Sequence, residues 1–206
     1  MNAEKKCRRI TRKEQKIARG RSHKILSDVQ KTLREKGYRF SWCIAGSGHW
    51  GTMIEDTNGK YDLDYQILLT ENSRCFKNDV SPEDIKTDFF NAFEKNLNED
   101  ERLENSTTAI TLRNNPKTGK KFSVDFVIIR ADLDQIIRRN GQNQYTWNKL
   151  PSKYKDTYRY FKNLSIDEKQ TIIEKIIKRK CIEKRKPDGK SSSEIMMEEI
   201  NKYARE

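Results

Sequence analysis

The sequence predicts a mixed α/β fold of the α+β kind: a small twisted, mainly antiparallel sheet with flanking helices and a helical C-terminal region. Three observations predict it. Runs rich in aromatic and branched residues occur at 38–45, 61–69, 108–112 and 122–129, each bounded by glycine, proline or asparagine turns. Apolar residues recur at helical spacing in 13–35 and 82–97. Beyond Arg130 the helical pattern takes over almost entirely.

Residues 1–12 carry Lys5, Lys6, Arg8, Arg9 and Arg12 with almost nothing apolar, and read as a basic arm or the frayed start of a helix. From Lys13 to Glu35, residues Ile17, Ile25, Leu26, Val29 and Leu33 form one stripe, and Gly37 ends the helix. A strand over 38–45 then runs into Gly46-Ser47-Gly48-His49-Trp50-Gly51-Thr52, a turn or short helix start. The Thr57-Asn58-Gly59 turn leads into a second strand, Tyr61 to Leu69. Ser81 caps a helix over 82–97 whose apolar stripe is Ile85, Phe89, Phe90 and Phe93. The strands 108–112 and 122–129 should pair, because Asn114 to Gly119 supplies hairpin residues between them. Next come a helical piece over 133–139, a break at Gly141, and helices over 154–164 and 167–182. A polar stretch with Pro187 and Gly189 precedes a last helix, Glu194 to Tyr203. The expected organisation is thus a basic arm (1–12), a sheet-bearing core (13–150) and a C-terminal helical region (151–206), with no internal repeat.

A chain of 206 residues, 33% hydrophobic and 36% charged, is long enough for one domain with a real core. Its net charge of +12 and pI near 9.5 suit polyanions or small anions such as nucleoside triphosphates. Cys7, Cys43, Cys75 and Cys181 show no CxxC pair, so neither a zinc site nor a disulfide framework is expected. With no secretory signal and no apolar run near the roughly 18 residues of a membrane span, no membrane partner is expected and a reducing cytoplasm is the expected setting.

The chemistry is carried by acidic residues in strands. Side chains alternate along a strand, so Asp62 and Asp64 project from one side while Leu63 and Tyr65 point to the other. Two like charges this close repel unless a cation lies between them. An oxygen-only site favours magnesium or manganese. Asp125 sits in Phe122-Ser123-Val124-Asp125-Phe126-Val127, where a carboxylate without a partner is costly. Beside the Asp62/Asp64 strand it would complete a three-carboxylate cage for two Mg2+ or Mn2+ ions. Gly46 lets backbone N–H groups approach a phosphate and Ser47 adds a hydroxyl, though the spacing is not that of a P-loop. A DxD pair or a GS turn alone is ordinary surface chemistry, and Asp125 alone reads equally as an edge-strand charge. Their order along the chain gives them weight.

In that order, Gly46-Ser47, Asp62-Leu63-Asp64 and Asp125 resemble the DNA polymerase beta superfamily of nucleotidyltransferases. Within it, the chain is most similar to the group of cyclic GMP-AMP synthase, oligoadenylate synthase and their bacterial relatives. The resemblance covers roughly residues 13–165 and includes the long helix before the GS strand and the Trp147 to Pro151 element. It implies that Asp62 and Asp64 hold both metals, that Asp125 binds the metal nearest the acceptor hydroxyl and helps deprotonate it, and that Gly46 and Ser47 grip the terminal phosphates. Lys162 matches a family lysine that contacts the triphosphate, and also reads as one of many lysines on a solvated helix face. The implied reaction is transfer of NMP from an NTP to a hydroxyl with release of pyrophosphate.

The loop from Ser47 to Asp62 is slightly longer than in the group. The C-terminal helical part is short for enzymes that enclose two nucleotides, so cyclic and linear messengers both stay open, as does NMP transfer to an RNA end or a protein. A nucleic-acid-binding module without chemistry is the reading of another class, and clustered carboxylates oppose it. Basic clusters at Lys5 to Lys24 and Lys175 to Lys186 could line a nucleic-acid groove, the second reading better as a solvated face because Glu174 and Glu183 are interspersed. Tyr154, Tyr158, Tyr160 and Phe161 are candidates for base stacking, some of them necessarily core. His49 is read as a loop histidine beside the GS turn, and the oligomeric state is open.

Overall fold

The 24-residue helix α1 (Arg12–Glu35) buries Ile25, Leu26, Val29 and Leu33 and stops where Gly37 adopts a left-handed φ of 84°. A computed structural model of the chain describes residues 7–73, 76, 80–115, 121–142, 144–150, 155–184, 186 and 188–205. Around α1 the order is β1 (Arg8–Arg9), β2 (Phe40–Ala45), α2 (Gly46–Trp50), β3 (Ile54–Glu55), β4 (Lys60–Leu69), α3 (Pro82–Glu94), β5 (Glu101–Asn105), β6 (Ala109–Asn114) and β7 (Lys121–Arg130). A 3-10 turn at Ala131–Leu133 then leads to β8 (Gln135–Arg139), β9 (Tyr145–Lys149), α4 (Lys155–Asn163), α5 (Ile166–Glu183) and α6 (Ser192–Tyr203). These elements group into two units, one of Lys13–Ala45 and Asp62–Leu150, the other of Met1–Arg12, Gly46–Tyr61 and Pro151–Glu206.

The first unit is a seven-stranded sheet in the order β2-β4-β7-β6-β5, with β8 joined to β7 and β9 to β8. The pairs β2/β4, β5/β6, β6/β7, β7/β8 and β8/β9 are all antiparallel. One face carries Leu63, Tyr65, Val124 and Phe126, all buried, because α1 and α3 cover it. His23 of α1 meets Tyr65 edge-on, and Phe93 of α3 stacks on Phe126 at 4.5 Å. Helix α3 starts as the sequence predicts, with the Ser81 hydroxyl accepting from the Asp84 amide. Arg21 of α1 ties the edge strand β5 through Glu101, Nε to Oε1 at 2.6 Å.

In the second unit α4, α5 and α6 pack around Phe161, Ile172, Ile176, Ile195 and Ile200. Capping boxes start α5 at Ser165 with Glu168, and α6 at Ser191 with Glu194. Strand β1 pairs antiparallel with β3.

The fold class and most elements agree with the sequence reading, three expectations are corrected and one strand is added. The segment 133–139 is not a helix: after the 3-10 turn, β8 forms a hairpin with β9, which includes Trp147. Leu133, Ile136 and Ile137 fit a helical stripe as well as a strand, and pairing with β7 and Tyr145-Thr146-Trp147 decides the matter. The polar strand β5 was not foreseen, since Glu101-Arg102-Leu103-Glu104-Asn105 has no apolar alternation beyond Leu103. Ile17 lies off the buried stripe, 70% exposed. Cys7 and Cys181, 174 residues apart, form a disulfide that no sequence spacing reveals. The expected hairpin loop and the start of the 154–164 helix fall partly on 116–120 and 151–154, outside the described residues, as does Cys75. Among the described residues, no helix is long and apolar enough to cross a membrane.

Candidate active site

The sheet face opposite α1 and α3 bears the acidic residues. In β4, Asp62 is exposed and Asp64 half-buried, alternating with buried Tyr61, Leu63 and Tyr65 as strand geometry requires. Strand β7 lies next to β4, and the Ser123 hydroxyl donates to Asp62 Oδ1, so Ser123 shares the face of Asp62. Asp125 follows two residues on and therefore lies on that face too. It is directly opposite Thr111 of β6, whose hydroxyl donates to Asp125 Oδ1 at 2.6 Å.

Burial raises the Asp125 carboxyl above the ordinary carboxylate range, and the Asp62 and Glu104 charges push the same way. The Thr111 hydrogen bond and Arg113 act against them. Asp62 and Asp125 thus sense each other's charge across the β4/β7 pair. Among the described residues, no group of three or more histidine, cysteine, aspartate or glutamate side chains is gathered closely enough to hold a metal ion as it stands. The donor chemistry nevertheless suits magnesium, which binds carboxylate oxygen and typically takes only one or two carboxylates, the rest being water and phosphate.

A second ionisable group, on α3, senses the Asp125 charge. Lys86 of α3 is fully buried, its Nζ has no hydrogen-bond partner, and it lies 5.2 Å from the centre of the Tyr145 ring. Burial, helped by the Arg139 charge and opposed by that of Asp125, lowers its pKa to about 8.

Gly46, Ser47 and Lys162 belong to the other unit. In the chain, Gly46 follows directly on Ala45, which is opposite Asp64 in the β2/β4 register. Gly46 takes a positive φ of 53° and opens α2, and the Ser47 carbonyl accepts from the Thr52 amide at 3.0 Å. Lys162 is exposed on α4. Of the aromatics considered for base stacking, Phe161 is core, Tyr158 stacks on Trp50 at 5.3 Å, Tyr160 is exposed, and Tyr154 lies outside the described residues. Within the second basic cluster, Lys180 is buried rather than solvated: its Nζ donates to the Thr52 carbonyl at 3.1 Å and the Thr52 hydroxyl at 3.3 Å.

Sequence reasoning missed Ser123, Thr111, Lys86 and Lys180. Ser123 was readable, since it stands two residues before Asp125 and so shares its face. The other three depend on contacts between distant segments.

No family model matches the sequence, and no curated protein matches it. Among solved structures, the chain is similar to Vibrio cholerae DncV cyclic AMP-GMP synthase, a prokaryotic cGAS homolog, with TM-score 0.62, 11% identity, and coverage of 95% of this chain and 68% of that one. It is also similar to the same synthase with the linear intermediate 5' pppA(3',5')pG, with TM-score 0.57, 14% identity, and coverage of 95% and 54%. Escherichia coli DncV in its 3'-deoxy GTP bound form gives TM-score 0.52, 12% identity, and coverage of 96% and 54%. The chain spans about half the length of the latter two. The sheet order, the long helix before β2 and this likeness together give the chain the fold of the cGAS-like nucleotidyltransferases.

Proposed function

We propose that the chain is a metal-dependent nucleotidyltransferase that transfers NMP from an NTP to a hydroxyl acceptor, making a cyclic or linear oligonucleotide messenger. The observation that carries this reading is that Asp62, Asp64 and Asp125 share the sheet face opposite α1 and α3. The likeness to nucleotide-bound synthases supports it.

In this reading Asp62, Asp64 and Asp125 hold two Mg2+ or Mn2+ ions, which would neutralise triphosphate charge and favour the alkoxide form of the acceptor. The acceptor oxygen attacks the α-phosphorus, the bond to pyrophosphate breaks, and Asp125 takes the hydroxyl proton. The Ser123 and Thr111 hydroxyls keep Asp62 and Asp125 oriented. Gly46 and Ser47 retain the phosphate-binding role that the resemblance assigns, with Lys162 as a further triphosphate contact. Residues 13–150 are the catalytic core of this proposal, with 1–12 as a basic arm and 151–206 as a helical region.

The net charge of +12 favours a second reading of the acceptor, an RNA end, because a basic surface attracts polyanions. Incubation with labelled NTPs and magnesium, with and without RNA, separates the two. A small phosphatase-resistant product formed without RNA supports the messenger synthase. Label migrating with RNA or with the protein supports the second acceptor class, and no turnover with any NTP leaves a nucleic-acid-binding module.

A further inference from the structure

The segment from Gly46 to Glu55 is held at four points within its own unit. The Trp50 ring stacks on Tyr158 of α4 with an interplanar angle of 3°. Thr52, fully buried, receives the Lys180 ammonium of α5 on both its carbonyl and its hydroxyl. The Ile10 amide donates to the Met53 carbonyl at 3.0 Å. Strand β1 covers β3, with Arg8 paired to Glu55 at 2.6 Å.

Three of these four holds come from residues directly beside the Cys7–Cys181 disulfide in the chain. Residues 8–10 follow Cys7, and Lys180 precedes Cys181. The bond therefore closes a ring that runs through β1, β3, Thr52 and the end of α5, with a Cα–Cα distance of 5.5 Å across the bridge. Strand β1 has only two residues, and so short a pairing is not stable alone.

We propose that the Cys7–Cys181 disulfide is a redox latch on the Gly46–Glu55 segment. Reduction frees the N-terminal strand, uncovers Ile54 and Glu55, and leaves the segment on Trp50 and Lys180 alone. The bond is reachable: both cysteines are half-buried and line an open cavity of about 600 Å³ with Arg8, Arg9 and Lys178. Cations at that wall favour thiolate and so promote exchange. The reductant is a dithiol. One of its thiolates attacks a bridge sulfur and displaces the other, and its second thiol then resolves the mixed disulfide. Two electrons and two protons pass to the protein, giving two cysteine thiols and a cyclic disulfide of the reductant.

The consequence for catalysis rests on the reading of Gly46 and Ser47 as phosphate-binding; the latch itself does not. Amide hydrogen exchange on the full chain, air-oxidised against dithiothreitol-reduced, tests it, with the thiol state established by alkylation and mass. On reduction, peptides covering 46–55 should exchange about tenfold faster while those from β4 and β7 stay unchanged. The Cys7→Ser variant should show the fast pattern and no response to dithiothreitol. Equal exchange of 46–55 in both states overturns the latch. So does uniform acceleration of both units, or alkylation of Cys7 and Cys181 after oxidation without reductant. Pyrophosphate release measured in parallel separates the two ideas: altered exchange without turnover in either state sinks the enzymatic reading alone, and turnover with unaltered exchange sinks the latch alone.

Discussion

Asp125 is the residue on which both geometry and electrostatics converge. Burial and the Asp62 charge raise its pKa, while the Thr111 hydroxyl, bonded to its Oδ1, favours the charged form. As the base it must be ionised, so turnover should rise with pH through its titration. Removing the stabilising hydroxyl in Thr111→Val should move that acidic limb to higher pH, and replacing the base in Asp125→Asn should lower kcat by about 10²-fold or more. A pH–rate profile of the two variants checks both outcomes. Lys86 gives a stability counterpart. Its folded pKa of about 8 lies below the ordinary 10.5, so between these values the unfolded chain binds a proton that the folded chain does not. Stability therefore rises with pH across that window, and below it the buried ammonium carries its full cost. Lys86→Met should stabilise the protein at pH 7 by on the order of 2 kcal/mol and flatten the dependence above pH 8, as read by denaturant unfolding. The aspartates were legible because strand alternation and an apolar setting mark them. Lys86 was not, because the Tyr145 ring it approaches lies in the β8/β9 hairpin, half of which reads as a helix by spacing.

Among the elements, those with a strong period or a definite cap were legible: α1 with its stripe and Gly37, α3 with Ser81, and the β6/β7 pair with its turn residues. Short or polar elements were not. Strand β1 is two arginines, and β5 is an edge strand whose place is set by Arg21 rather than by apolar burial. The Glu101 side chain is fully buried, and although burial raises its pKa, hydrogen bonds from Arg21 and the Asn98 amide hold it below its ordinary value. A depressed carboxylate contributes stability above its unfolded pKa and loses it as pH falls through the folded one. Arg21→Ala leaves that carboxylate buried without its cation, so it should cost about 3–5 kcal/mol at pH 7, with the loss shrinking in acid as Glu101 is protonated. Thermal or denaturant melts at pH 7 and pH 3 check this.

At the scale of the molecule, the order of strands, GS turn and carboxylates was enough to reach the nucleotidyltransferase fold, and the likeness to DncV agrees with it. What sequence order could not supply is which distant segments meet. Cys7 with Cys181, and Lys180 with Thr52, are pairs set by the packing of α5, and nothing in their spacing announces them. The central claim concerns the sheet face opposite α1 and α3, whose three aspartates are taken to perform nucleotidyl transfer. Pyrophosphate release from each of the four ribonucleoside triphosphates in magnesium, by the native chain and by a folded Asp62→Asn, Asp64→Asn variant, tests it most directly. The expected result is magnesium-dependent release by the native chain and none above background by the variant. Release at the native rate by the variant would contradict the assignment of these aspartates as the catalytic site.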